Sequence, residues 1–319
     1  MAISARRLGV QVTVWLVVLV TANVTVARLT ANSIPRQLVR TIERSPSITD
    51  LFVGTSQIVV AIDPEAFERA RPNTRALNAG MGATSIVEHA ILMRRALSRH
   101  PVRAFYGFWN MPLTDEPPSG WRDLFGNRAM SYYVDRETAI GFIAPHDPVR
   151  AWAIRLTSFV PLIVERAALW GSVERLRRTL GGIGRPPQAT NRFGRVEDFA
   201  LLQQTDDAFR RACREPVERR SGLVAPVVDM LDRGRDAGAK VVMVLMPMPR
   251  SYRDRFFTTP EWQRYVTYVT SEIQRHGGVY LDASDWVDDN GFADAVHIGP
   301  AAASAFSARL AAWTISSGL

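Results

Sequence analysis

From about residue 48, short apolar runs that break off at Gly, Asn, Asp or Pro alternate with longer segments whose apolar positions recur every three or four residues. The first pattern is that of parallel strands buried on both faces. The second is that of helices packing one face on a core. Strands are predicted at residues 50–54, 75–79, 102–109, 240–246 and 278–282, and helices at 64–71, 85–99, 221–237, 260–276 and 301–316. Five strands interleaved with helices, without internal repeats, predict an α/β domain on one doubly wound sheet with helices on both faces. That domain is expected to occupy residues 48–319, after a linker at 31–47.

The spacing breaks once. Roughly 130 residues separate the third strand from the fourth, far more than one crossover requires. Within this interval an amphipathic stretch at 149–180 precedes a Gly/Pro-rich loop at 181–195 and a polar helix near 196–214. The interval reads as a helical insertion, at about 149–220, beside the sheet. Phe159 to Leu162 and Ala167 to Trp170 could meet a membrane or a partner, but a core-facing helix is the expectation. Gly181, Gly182 and Gly184 lack the Lys-Ser/Thr ending of a phosphate loop and read as a connector.

A third pattern opens the chain. Arg6 and Arg7 precede an uncharged stretch from Leu8 to Ala27, and twenty residues at about 1.5 Å each just span a hydrocarbon core. Gln11, Thr13, Thr21, Asn23 and Thr25 dilute it. A cleaved signal peptide, cut after Ala22 or Ala27, is the alternative to an uncleaved anchor, which the length favours. Either reading addresses the chain to a membrane. The expectation is a single-pass cell-membrane protein with its main domain outside the cytoplasm, although Arg28, Arg36 and Arg40 blur the charge asymmetry.

Composition changes this picture little. The 319 residues are 47% hydrophobic and 22% charged, a globular balance large enough for a substantial core. The net charge of +8 suggests an anionic partner, yet every cation but Lys240 is arginine, and the arginines are scattered. No nucleic-acid-binding motif accompanies them, so nucleic acid is not an expected partner. One cysteine, Cys213, excludes a disulfide framework, an all-Cys zinc site and a CxxC redox pair.

In a doubly wound sheet, chemistry gathers at the carboxyl ends of the strands. The first strand runs into Gly54-Thr55-Ser56-Gln57, which puts Ser56 at the start of the following turn or helix. There its hydroxyl is exposed, or it simply caps a helix. The second strand ends in Asn78-Ala79-Gly80-Met81-Gly82, where glycines allow a backbone to approach a ligand or make a tight turn. Asn110 follows the third strand, as an oxyanion donor or a turn cap. Past the fifth strand lie Asp294 and His297, three residues apart. That spacing lets a carboxylate accept the imidazole Nδ1–H and leaves Nε2 as a base. The other histidines, at 89, 100, 146 and 276, show no metal-ligand spacing.

This combination resembles the SGNH (GDSL-like) hydrolase and acyltransferase superfamily over nearly all of residues 48–316. The matching pieces are GTSQ at 54–57, NAGMG at 78–82, Asn110, and FADAVH at 292–297 followed by GPAAASAFSARLA. The segments KVVMVLMPMPRSY (240–252) and VYLDASDW (279–286) look like the corresponding later strands. The serine block reads G-T-S-Q where the family pattern is G-D-S-[LI], and the third block reads G-x-x-N-M rather than G-x-N-D. The membrane segment, the serine motif and the insertion look like the extracytoplasmic proteins of polysaccharide O-acetylation systems.

The resemblance implies a three-layer α/β/α, flavodoxin-like parallel five-stranded sheet. It implies Ser56 as nucleophile, His297 as base and Asp294 as the group orienting it. The Ser56 amide, Gly80 or Gly82, and Asn110 would form the oxyanion hole. It further implies a serine esterase or O-acyltransferase acting on acyl, most simply acetyl, esters of envelope or exported glycans, with no metal or organic cofactor. Transfer would need a polytopic membrane acyltransferase as partner, because activated acyl donors are cytoplasmic. A catalytically silent glycan-binding scaffold of an envelope complex, or a simple secreted carboxylesterase, remains an alternative.

Overall fold

The computed structural model describes residues 5–45, 47–82, 84–109, 113–114, 135–157, 160–165, 169 and 206–319. Asn110, Phe159, most of 167–170, the loop at 181–195 and the first part of the predicted helix at 196–214 lie outside them. In chain order the helices are α1 (Ala5–Thr30), α2 (Ile34–Arg44), α3 (Ser56–Ala61), α4 (Pro64–Ala70), α5 (Ile86–Leu97) and α6 (Arg136–Ile143). They continue with α7 (Pro148–Thr157), α8 (Pro161–Val164), α9 (Asp206–Arg219), α10 (Ala225–Asp236), α11 (Pro260–Arg275) and α12 (Pro300–Ser316). The strands are β1 (Asp50–Gly54), β2 (Ala76–Asn78), β3 (Arg103–Phe108), β4 (Lys240–Leu245) and β5 (Val279–Asp282). The chain divides into two compact units, residues 1–38 with 127–188 and residues 39–126 with 189–319.

The larger unit is an α/β domain whose five strands are all parallel, in the order β2-β1-β3-β4-β5. Apart from polar residues at their ends, such as Asp50, Arg103 and Lys240, its strands are apolar, as strands covered on both faces must be. Alternate residues turn to opposite faces. Phe52, Phe105, Val242, Val244 and Leu281 face one core with Ile58, Phe67, Phe306 and Leu310 of α3, α4 and α12. Phe52 stacks on Phe105 at 4.7 Å between ring centroids, and Phe67 meets Phe52 edge-on at 5.1 Å. On the other face Leu51, Val53, Ala104, Tyr106, Val241 and Met243 are buried, and α5 and α10 pack on β1, on β4 and on each other.

At the amino end of the sheet, Asp50 and Arg103 sit opposite each other in register and form a buried two-pronged ion pair, Nε to Oδ1 at 2.5 Å and Nη2 to Oδ2 at 2.9 Å. Thr49 Oγ1 donates to Asp50 Oδ2 at 2.7 Å. At the carboxyl end, β1 connects toward β2 and β3 toward β4 on the other side, so the topological switch point of the sheet, where open α/β sheets place their ligands, lies between β1 and β3.

The smaller unit contains α1, whose segment Arg7–Thr30 is long and apolar enough to cross a membrane, an 18-residue window within it having a mean hydropathy of 1.9. The polar residues that dilute it are partly satisfied within the helix. Thr13 Oγ1 donates to the Gly9 carbonyl, Asn23 Nδ2 to that of Leu19 and Thr30 Oγ1 to that of Val26. Such back-bonding is how hydroxyl and amide groups are tolerated in a span. Within the same unit α6 packs on α7, and α8 packs on α1. The helix α7 buries Ala151 and Ile154, whereas Val149, Trp152 and Leu156 face outward. Leu162, expected to face a core, is also exposed.

Candidate active site

β1 ends at Gly54, and Thr55 caps the helix that follows, its Oγ1 accepting from the Gln57 N–H at 3.4 Å. This cap makes Ser56 the first residue of α3, half-buried at the carboxyl end of the sheet. The helix is seated by one side chain. Ile58 lies in a cradle of three glycines from the ends of β1, β2 and β3. A Cβ on Gly54 would meet Ile58 Cγ1 at 2.6 Å and the Gly107 carbonyl at 2.9 Å; one on Gly107 would meet Ile58 Cδ1 at 2.4 Å. A Cβ on Gly80 would lie 2.8 Å from the Val59 nitrogen and 2.7 Å from Ile58 Cγ2. The glycines are therefore required by close approach of α3, and that approach positions Ser56.

Asn78 closes the other end of α3. Its Nδ2 donates to the carbonyl of Ile62 at 3.0 Å, which the helix terminus leaves open, and also to that of Ile58 at 3.0 Å, which already accepts from the Ile62 N–H. Its Oδ1 accepts from the Gly80 N–H at 3.0 Å. That hydrogen bond distinguishes the two glycines of the second block. The Gly80 N–H is occupied, while the N–H groups of Gly82 and Ser56 make no hydrogen bond to another described residue. A Cβ on Gly82 would stand 3.5 Å from Ser56 Cβ, so this exposed glycine borders the serine directly.

The second half of the site comes from the loop after β5. A bridge between Phe292 and Ile298 closes it, the Ala293 N–H donates to the His297 carbonyl at 2.7 Å, and Gly299 N–H to the Gly291 carbonyl at 2.7 Å. Inside this loop Asp294 is 2% exposed, and its Oδ1 accepts from the backbone N–H of Val296 and of His297, each at 2.8 Å. Its Oδ2 lies 2.8 Å from His297 Nδ1. A carboxylate can only accept, so Nδ1 is the donor in this bond, and in the neutral form of the ring Nε2 is the nitrogen left as acceptor. His297 Nε2 is 2.8 Å from Ser56 Oγ. A hydroxyl, an imidazole and a carboxylate thus stand in one hydrogen-bonded chain, at the carboxyl end of the sheet where such folds place their ligands.

Gln57 and Asn78 organise this arrangement without the sequence marking either as functional. Gln57 is buried, and its Nε2 donates to the Val296 carbonyl at 3.0 Å, binding α3 to the histidine loop. The only local signal is adjacency: each lies in a block already marked by its serine or its glycines.

The remaining titratable candidates lie elsewhere. His89 is buried in α5 between Thr84 Oγ1 at 2.8 Å and the Tyr106 hydroxyl at 3.2 Å, and burial pushes its pKa down to about 3. The same burial raises the Tyr106 phenol well above its usual value. His276 pairs with Asp232 at 3.1 Å. Cys213 is buried, and desolvation, then Glu261, pushes its thiol up to about 12. Among the described residues no three His, Cys, Asp or Glu side chains converge as a metal site requires. Compared with known proteins, the chain matches no family model and no curated sequence.

Proposed function

We propose that this protein is a membrane-anchored, extracytoplasmic serine esterase or O-acyltransferase of the SGNH type, acting on acyl esters of envelope glycans through an acyl-Ser56 intermediate. The observation that carries the reading is the continuous chain Asp294–His297–Ser56, with 2.8 Å at both of its imidazole contacts. A packing histidine has no need of a hydroxyl on one nitrogen and a buried carboxylate on the other at the carboxyl end of the sheet.

In the first step Ser56 Oγ attacks the ester carbonyl carbon while its proton passes to His297 Nε2. The negative charge that develops on the carbonyl oxygen is received by fixed N–H donors, for which the unoccupied amides of Ser56 and Gly82 are suited. Asp294 holds the ring in its tautomer and stabilises the imidazolium. The C–O bond to the leaving alcohol then breaks, and that alcohol takes the proton from Nε2. In the second step water, or a sugar hydroxyl, gives its proton to Nε2 and attacks the acyl carbon, and Ser56 leaves with the proton returned to its Oγ. Water yields hydrolysis and a sugar hydroxyl yields transfer, through the same acyl-enzyme. For transfer across a bilayer, a polytopic partner would deliver the acyl group. The apolar length of α1 supports the anchor.

The test is covalent labelling of the full chain with a fluorophosphonate, followed by acetyl-ester turnover with and without a glycan acceptor. Labelling at Ser56 with acceptor-stimulated turnover is expected. Labelling that persists in Ser56→Ala would overturn the assignment of the nucleophile.

A further inference from the structure

The helix α7 has two apolar faces, and among the described residues of its unit only one is packed against. Ala151 and Ile154 are buried, and α7 packs on α6. On the opposite side Val149, Trp152 and Leu156 are 76%, 62% and 53% exposed. At about 100° per residue these three fall within about 60° of one another, with Arg150 to one side of the stripe and Arg155 to the other. Outside α1, most of the strongly exposed large apolar side chains of the described residues belong to α7 and to α8, which adds Leu162 and Ile163. Scattered exposed apolar residues need no explanation, but a contiguous set headed by a tryptophan does.

The position of this surface within its unit says what covers it. The Leu162 N–H donates to Asn23 Oδ1 at 3.1 Å, so α8 is attached to α1 seven residues before its end at Thr30, about 10 Å along the helix axis. Glu165, just past α8, pairs with Arg36 beyond the other end of that stretch. Leu169 lines an apolar groove of about 520 Å³ together with Val17, Val18, Thr21, Val26 and Leu29, alongside the carboxyl-terminal half of α1. The Val160 N–H donates to the Thr157 carbonyl at the end of α7, and the Ile163 N–H of α8 to that of Val160.

We propose that α7 and α8 form an interfacial element that seats Val149, Trp152, Leu156, Leu162 and Ile163 in the headgroup–acyl boundary of the bilayer. The proposal rests on reading α1 as a membrane span. An apolar stripe flanked by arginines, with a tryptophan in it, is the pattern that settles at this depth, the arginine stems lying along apolar surface while their heads stay wet. The attraction is apolar rather than ionic, because Asp135, Glu137 and Asp147 offset Arg136, Arg150 and Arg155, and Arg155 lies 3.8 Å from Glu137. Two contacts with the bilayer, one spanning and one lying flat, would restrict tilt and rotation of the anchor as a single span cannot.

The test uses the full chain reconstituted in vesicles of phosphatidylcholine, with or without phosphatidylglycerol. The buried, high-pKa thiol of Cys213 is replaced by serine to remove background, and a polarity-sensitive dye is attached through Trp152→Cys, Val149→Cys or Leu156→Cys. Val18→Cys reports the span, and Gln274→Cys, exposed on α11, reports bulk water. Nitroxide lipids labelled near the headgroup are expected to quench positions 149, 152 and 156 several-fold more than 274. Lipids labelled deep in the chain quench position 18, and phosphatidylglycerol changes these ratios little. If position 18 is not quenched, the span reading fails and the proposal with it. If position 18 is quenched while 149, 152 and 156 behave like 274, the anchor stands and the interfacial element is refuted. A blue shift at 149, 152 and 156 without quenching by lipid means that protein covers the stripe, which also overturns the proposal.

Discussion

Gln57 Nε2 donates to the backbone carbonyl of Val296 at 3.0 Å, joining the helix that begins at Ser56 to the loop that ends at His297. The bond spans the seam across which the hydroxyl and the imidazole must meet. Gln57→Ala removes it without removing either reacting group. A net hydrogen bond is worth about 0.5–1.5 kcal/mol, so turnover of an acetyl ester should fall about three- to tenfold. Steady-state kinetics should place the loss in kcat, accompanied by a fall in Tm of a few degrees from the lost buried bond; a loss confined to KM would contradict the positioning role.

Replacing His297 by Ala, or Asp294 by Asn, should lower kcat by about 10³–10⁴ with the fold intact, since each removes a member of one hydrogen-bonded unit. Combining either change with Ser56→Ala should add little further loss, because the residues act together. Full additivity in a double-mutant cycle would argue that they do not.

The two glycines of the second block should separate cleanly. Gly80→Ala places a Cβ 2.8 Å from the Val59 nitrogen, a backbone atom that cannot swing aside. A cost of about 1–3 kcal/mol and a lower Tm follow. Gly82→Ala meets only Ser56 Cβ at 3.5 Å, an ordinary contact, and should leave thermal stability unchanged. Equal melting temperatures for the two variants would refute the cradle under Ile58.

Asp50 and Arg103 form a buried pair at the end of the sheet opposite Ser56. Asp50→Asn leaves the Arg103 charge buried without its partner, which costs about 3–5 kcal/mol. Denaturant unfolding should show that loss, while turnover per folded molecule stays the same. The pair stabilises the sheet and does not touch the candidate chemistry.

His89 should give stability an acid limb. Its pKa is about 3 in the folded chain against 6.5 for the free side chain, because burial disfavours the charged ring. Below pH 6.5 the unfolded chain binds a proton that the folded chain refuses, so this contribution is fully present above 6.5 and is lost as pH falls toward 3. His89→Gln should flatten the fall in Tm across that window. An unchanged slope would mean that other groups dominate it.

Much of the fold was legible because its signals are local. A strand buried on both faces must be apolar throughout and a core-packing helix must repeat near 3.6, so the five strands and their flanking helices could be read from residue type alone. Asp294 and His297 were equally legible, since three residues are enough to bring Nδ1 and a carboxylate together. Ser56 stood out by following a strand and a glycine. The short helices α3 and α6 were not separately visible, because one or two turns carry too little periodicity.

What the chain order could not decide depends on contacts distant in sequence. Ser56 and His297 are 241 positions apart, and only the parallel sheet brings Oγ within 2.8 Å of Nε2. Gly80 and Gly82 are indistinguishable as letters. The hydrogen bond from the Gly80 N–H to Asn78, and the pressure of Ile58 and Val59 on Gly80, assign one to packing and leave the other beside the serine. The same holds for α7, whose period announces an amphipathic helix but not that Val149, Trp152 and Leu156 point away from its neighbours. Periodicity records which side chains share a face. What that face meets, and which backbone amides stay unoccupied, is settled only when the rest of the chain has packed around them.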